Sequence, residues 1–233
     1  ATGRSNPIQS VHALDFAAKN KSHFVYPCSA MMYNTDVQGH NGPDLNEDEH
    51  IWPAKPAGNI YGLEKIYNMQ LVQEYAKYYN MKVALPIFHA MYGPYLDIFE
   101  NSKVVAAMCV KILNATNPGE IEVWGDGTPF REFLHVDDCS NACLFLMNEY
   151  DDKQFINVGS GVEHSIKQVS EIIKEKVGFD GVIEFNSTYP NGTPRKLMDV
   201  SKINNLGWNH QISFEKGIEM VLDILPEELQ KHE

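Results

Sequence analysis

Tyr61 and Lys65 stand four residues apart in a segment with helical periodicity, so their side chains share one face, a turn apart. That spacing has a chemical use. A phenol titrates near ~10 in water and becomes a working acid or base at neutral pH only where an adjacent cation stabilises its phenolate. Lys65 is such a cation, and it is placed to bond a cofactor ribose as well. A tyrosine and a lysine on a solvated helix face have the same spacing, so the pair alone leaves both readings open. His89, at the end of an apolar strand-like run, could supply a proton or be a structural histidine. The four cysteines (Cys28, Cys109, Cys139 and Cys143) lie scattered in apolar segments and not in pairs of metal-ligand spacing, so they read as buried thiols and no metal site is expected.

Charge narrows the partners. With 19 Lys+Arg against 31 Asp+Glu the chain carries a formal net charge of −12, and no long basic stripe offsets the repulsion that nucleic acid or an anionic membrane would meet. An anionic ligand must be held by a local cluster of donors. The 233 residues, 43% hydrophobic and 21% charged, have the balance of an ordinary globular protein. No apolar run approaches the ~20 residues of a membrane helix, and the start at Ala1-Thr2-Gly3-Arg4 lacks a signal-peptide pattern, so a soluble, cytoplasmic protein is expected.

The elements that must carry these residues follow from periodicity. Residues 6–19 read as a helix through Ile8, Val11, Leu14 and Ala18, followed by a short buried strand over 24–26 that Pro27 ends. A long polar connection, functional or mobile, leads to a helix from Ile60 through Leu63, Tyr67, Leu71 and Tyr75. A strand over 83–88, a turn at Tyr92-Gly93-Pro94 and a helix over 102–115 with Ser102 as N-cap come next. A strand over 121–124, a buried helix through 142–147 entered at Asp137 and Asp138, and a strand over 155–158 repeat the pattern. Ser165 and Gln168 fit a capping box for a helix that stops at Gly178, and a strand over 183–185 and a helix over 213–225 close the chain. Alternation of this kind predicts an α/β fold with a largely parallel sheet.

Several stretches together resemble one family. They are residues 24–33, the Tyr61/Lys65 helix, Tyr92-Gly93-Pro94, the run 123–138 (VWGDGTPFREFLHVDD), Ile156-Asn157-Val158-Gly159-Ser160-Gly161, and 192–200 (GTPRKLMDV) followed by Leu206-Gly207-Trp208. The chain is similar to the extended short-chain dehydrogenases of the NAD-dependent epimerase/dehydratase family that act on nucleotide sugars, most closely to the GDP-L-fucose synthase branch. The resemblance implies a Rossmann-like sheet, a catalytic triad of Ser29, Tyr61 and Lys65, and NADP or NAD as cofactor, with Tyr61 and Lys65 also touching it. Arg131 matches the arginine with which the family grips the nucleotide diphosphate, a task suited to a planar, permanently charged fork. Arg195 and Lys196 sit where the fucose synthases place a basic pair near the substrate. The family dimerises through the helix bearing Tyr61 and the one before it, so a homodimer is expected.

The departures sharpen the expectation. Neither Gly-x-x-Gly-x-x-Gly nor Gly-x-Gly-x-x-Gly precedes Tyr61, so this chain is expected to lack the phosphate cradle of the dinucleotide and the first βαβ half of the fold, as a fragment of a longer protein or as a degenerate relative. Residues 1–95 then form the remainder of the Rossmann-like domain with the triad, and 96–233 a mainly nucleotide-sugar-binding region with returning Rossmann strands. Met31 stands where the fucose synthases carry a cysteine acid/base, Phe99 or Glu100 where its partner is expected, and Ala90 in place of a substrate-binding asparagine. A thioether and a phenyl ring move no protons, so epimerisation at C3 and C5 is not expected; nor is dehydration, because Met31 also stands where the dehydratases have an Asp or Glu two residues beyond the serine. Chemistry at C4 remains: reduction of a 4-keto sugar or 4-epimerisation. The competing reading is a non-catalytic nucleotide-sugar-binding or structural relative.

Overall fold

Pro27 has no N–H to give a ladder, and the strand expected over residues 24–26 breaks there. In the computed structural model, which describes residues 2–56, 60–95 and 103–230, two short strands, β1 (Phe24–Val25) and β2 (Cys28–Ser29), lie one after the other against β3 (Val83–Phe88). The registers are Phe24↔Val83 and Ser29↔Phe88, and β8 (Phe155–Val158) pairs with β3 as well, through Leu85↔Phe155 to Phe88↔Val158. All of these pairs are parallel. β3 is buried at every position, as a central strand of a parallel sheet must be. β1 is only half-buried, which departs from the buried strand expected, because among the described strands it pairs with β3 alone.

Two helices, α1 (Thr2–Asn20) and α2 (Ile60–Tyr78), pack on each other, and α2 packs on β2 and β3. The α2 face named from the sequence reaches the core only in part, through Leu71 and Tyr75. Ile66, Met69, Val72 and Ala76 are buried, whereas Ile60, Leu63 and Tyr67 are exposed. The helix is apolar on two faces, so the 3.6-residue period has two solutions and only packing selects one.

The rest of the chain builds a second core. α3 (Val104–Leu113), α5 (Ile166–Val177) and α7 (Phe214–Gln230) pack together beside a parallel pair, β5 (Glu120–Trp124) and β10 (Val182–Asn186). The expected N-cap Ser102 and the positions Phe99 and Glu100 lie outside the described residues, and Lys103 precedes the first turn of α3. The capping box forms, with Ser165 Oγ accepting from Gln168 N and Gln168 Oε1 from Ser165 N, and Gly178 ends α5 at φ 73°. α7 runs on through Pro226 to Gln230, past its expected end.

Smaller ladders join the two cores. β4 (Met91–Tyr92) pairs with β7 (Leu134–His135), and β6 (Phe130–Glu132) lies between β9 (Glu163–Ser165) and β11 (Arg195–Lys196). α4 (Val136–Glu149) opens with Asp137 and Asp138 and rests on β3. It is not buried all round, since Ala142 and Leu146 point inward while Leu144 and Met147 are exposed. α6 (Ser201–Asn205) packs on β8.

The long connection through residues 34–56 is fastened rather than loose. Leu45 bridges to the 197–199 segment, with Leu45 N donating to Leu197 O at 2.7 Å and Asp199 N to Leu45 O at 3.0 Å. Asn157, fully buried on β8, is the anchor: its Nδ2 donates to Leu45 O (2.7 Å), Glu47 Oε2 (3.0 Å) and Asp199 O (2.9 Å), and Tyr33 Oη donates to its Oδ1 (2.7 Å). Its backbone N–H donates to Glu47 Oε1 at 3.1 Å, and burial raises the Glu47 carboxyl above its ordinary range. Removing this carboxamide strands a buried carboxylate, carbonyls and a phenol together, each costing about 1–3 kcal/mol when unpaired. Asn157→Ala is therefore expected to lose about 3 kcal/mol or more, and Tyr33→Phe about 1 kcal/mol, as read by urea unfolding.

Candidate active site

Parallel strands deliver their C-terminal ends to one rim, where α/β proteins bind ligands. Ser29, at the end of β2, lies opposite Phe88 in β3, and His89 follows directly. Ser29 starts a 3₁₀ turn over Ala30–Met32, its Oγ accepting Met31 N–H at 3.3 Å, which leaves the hydroxyl proton free to donate outward. α2 brings Tyr61 and Lys65 to the same rim. Lys65 Nζ donates to Pro27 O at 2.9 Å and lies 4.8 Å from the Tyr26 ring centroid and 5.6 Å from that of Tyr61. The lysine thus ties the helix to the segment leading into Ser29, with its cation beside the phenol. Burial lowers its pKa below the ordinary lysine range.

The second core supplies charge. In the β6–β11 ladder Arg131 lies in register with Lys196, so two cations sit side by side. Lys196 is 5% exposed, and its Nζ contacts Met31 Sδ at 3.4 Å. Arg131 Nη1 donates to Phe130 O at 2.6 Å. Among the described residues neither forms an ion pair. Burial and then the Arg131 charge push the Lys196 ammonium down to about 8. A cavity of about 610 Å³ is lined by Ser29, Met31, Tyr61, His89, Arg131 and Lys196, with the indole of Trp124 and the Asn191-Gly192 turn also on its wall. A buried ammonium and a half-buried guanidinium thus line one cavity whose wall, among the described residues, carries no carboxylate.

Five of the seven residues singled out from sequence line this cavity; Lys65 lies behind Tyr61, and Arg195 lies elsewhere. Arg195 is engaged by other protein groups: Nε bonds both oxygens of Glu163 (3.0 and 2.9 Å), Nη1 donates to Gly42 O at 3.0 Å and Nη2 to Asp44 Oδ1 at 2.8 Å. It clamps the long connection to β9, because adjacent residues in a strand point to opposite faces and Lys196 takes the cavity side. His89 makes a poor proton donor, because burial and the Lys196 and Arg131 charges push it down to about 3 and leave a neutral imidazole whose Nδ1 is buried without a partner. Among the described residues no group of three His, Cys, Asp or Glu side chains could hold a metal ion.

One feature of the site escapes the sequence reading. Trp124 and Tyr189 stack at 4.5 Å between centroids and 12° between planes, with Trp124 63% exposed at the cavity wall. They are far apart in sequence and meet because β5 and β10 run side by side, so no local pattern announces a flat aromatic surface there.

The model of the NAD dependent epimerase/dehydratase family matches residues 1–159. The chain is similar to a putative GDP-L-fucose synthase 2 of Arabidopsis thaliana, 41% identical over 169 residues that cover 71% of this chain and 52% of the relative. A GDP-L-fucose synthase of Escherichia coli is 37% identical over 177 residues, covering 70% and 55%. The fold is shared with a GDP-L-fucose synthetase from Naegleria fowleri solved with NADP bound, at a TM-score of 0.82 and 20% identity over 97% of this chain and 73% of that one. The chain spans about half the length of the curated relatives it matches.

An unpaired buried cation is costly to the empty protein. The Lys196 pKa is about 8 folded and 10.5 ordinarily, so the unfolded chain binds more protons between those values and stability rises with pH through that window. We expect Lys196→Met to raise stability at pH 7 by up to about 3 kcal/mol and to remove that part of the pH slope, while weakening GDP binding at least ~10-fold. Urea unfolding at pH 7.5 and 9.5, with calorimetric titration of GDP, checks both.

Proposed function

The chain belongs to the NAD-dependent epimerase/dehydratase family, and we propose that it works at C4 of a nucleotide sugar, a GDP-sugar by its relatives, as an NAD(P)-dependent reductase or epimerase. The observation that carries this reading is the single cavity that holds a serine and a tyrosine–lysine pair on one wall and two unpaired cations on the other. Arg131 and Lys196 bind the diphosphate, the fork giving directed hydrogen bonds and the ammonium a point charge. The flat Trp124–Tyr189 surface at the same cavity suits a nucleobase. The spare Ser29 hydroxyl donates to the sugar oxygen at C4. Tyr61 gives its proton to that oxygen in reduction or takes it in oxidation, and the neighbouring Lys65 cation stabilises the phenolate that results.

The residues present suit the nicotinamide end of the cofactor: Tyr61 and Lys65 stand at the rim beside Ser29, and Lys65, half-buried and held to Pro27 O, has further N–H groups to offer a ribose hydroxyl. When bound, the cofactor gives or takes hydride at C4. The second reading is a nucleotide-sugar-binding module without turnover, favoured by Met31 and Ala90 on the cavity wall. Met31, whose thioether meets Lys196, moves no proton, so the proposal stops at C4 and excludes C3 and C5 epimerisation. A cytoplasmic site of action is supported by four free thiols, and among the described residues no helix is long and apolar enough to cross a membrane.

A homodimer is part of the proposal. Ile8 and Phe16 on α1 and Ile60, Leu63 and Tyr67 on α2 are exposed, at 54% or more, on two helices that pack together, and apolar patches of this kind mark interfaces. Sedimentation velocity is expected to give a dimer, and Phe16→Asp with Leu63→Asp a folded monomer.

Titration with NADPH and, separately, GDP-mannose separates the readings: binding of both supports the enzyme, binding of the sugar nucleotide alone the module, and binding of neither removes both. For the enzyme, Tyr61→Phe is expected to lower kcat for 4-keto-sugar reduction by about 10²–10⁴-fold with the Kd for GDP-mannose unchanged.

A further inference from the structure

Glu132 follows Arg131 in β6 and points to the opposite side of the strand, away from the cavity. It is 1% exposed, yet among the described residues no cation pairs with it; its partners are backbone donors. Oε1 accepts Gly161 N–H at 2.7 Å and Oε2 accepts Met198 N–H at 3.0 Å, with Ser160 N–H a further donor. Met198 lies two residues beyond Lys196, and Arg131↔Lys196 is the last pair of the β6–β11 ladder. Where the ladder stops, the carboxylate continues it. One side chain therefore belongs to the strand that carries Arg131, bonds the segment that continues from Lys196, and holds the 159–161 turn against both.

The surroundings are built for a carboxylate at this place. A Cβ on Gly159 would collide with it, so only glycine lets the turn approach. Glu163 faces Glu132 across the antiparallel β6–β9 pair, but it and Asp44 are both occupied by Arg195. Burial pushes the Glu132 carboxyl up to about 7 in spite of its N–H donors, so an ionisable group stays here at a cost in stability. A glutamine would keep the shape but turn an NH₂ toward one of the same backbone N–H groups.

We propose that Glu132 is a positioning residue for the anion site: by clamping β6, the end of β11 and the 159–161 turn, it sets the separation of Arg131 and Lys196 that a diphosphate must bridge. The proposal rests on the reading of the cavity as a nucleotide-diphosphate site.

The test is a double-mutant cycle on the whole chain, with calorimetric GDP titrations of wild type, Glu132→Gln, Lys196→Met and the double variant. Acting through Lys196, Glu132→Gln should weaken GDP binding about 10-fold where Lys196 is present and less than about 2-fold where it is methionine. Equal losses in the two backgrounds would overturn the proposal. A ligand-free readout accompanies it: the titration of Lys196 followed by NMR of ¹³C-methylated lysines, its signal assigned from its loss in Lys196→Met. That midpoint should move in Glu132→Gln, and an unmoved midpoint also overturns the proposal. A midpoint moved by Glu132→Gln, together with a wild-type chain that does not bind GDP, would support the clamp and count against the nucleotide reading. If Glu132→Gln does not fold, Gly159→Ala displaces the same carboxylate with every charge intact and is read in the same two ways.

Discussion

Arg131 and Lys196 repel each other, and a parallel ladder holds them side by side, the lysine buried and the arginine half-buried, with no counter-ion among the described residues. Two like charges in such a setting stay together only if the backbone under each is held more firmly than the charges push. Much of the second half of the chain serves that constraint. Arg195, one residue before Lys196, spends its guanidinium on Glu163, Asp44 and Gly42 and so pins β11 to β9 and to the long connection. Leu45 bonds on either side of Met198, and Glu132 bonds Met198 itself. The energy stored in the unpaired cations is released when a polyanion arrives, so binding strength and apo instability have one origin.

The cavity lies where the two hydrophobic cores meet, and each core contributes what its geometry can hold. The first contributes strand ends and a helix, which place Ser29, Tyr61 and Lys65 rigidly, a requirement for a proton transfer that tolerates little misplacement. The second contributes the cations and an aromatic surface. Asn157 and Glu47 fasten the connection that runs from β2 to α2, beside the first core.

Much of the site was legible in the residues. A tyrosine and a lysine a turn apart carry their own geometry, and the run from Val123 to Asp138 holds arginine, glutamate and strand signals in one line. Arg195 and Lys196 show where such reading ends: as neighbours in a strand they look like one basic pair, yet one points to the cavity and the other to carboxylates contributed by residues 44 and 163. His89 is similar. Its position was readable, but its neutrality depends on burial and on two cations brought from other strands.

Local chemistry decides what is local. The capping box at Ser165 and the stop at Gly178, the break at Pro27, and the alternation of strand and helix follow from backbone donors, φ preferences and hydrophobic period, and sequence alone was enough for them. Packing decides the rest, because it involves groups that sequence separates. Which face of α2 goes inward, the stack of Trp124 on Tyr189, the anchoring of the long connection by Asn157, and the carboxylate that continues the β6–β11 ladder are settled only when distant segments exclude water together.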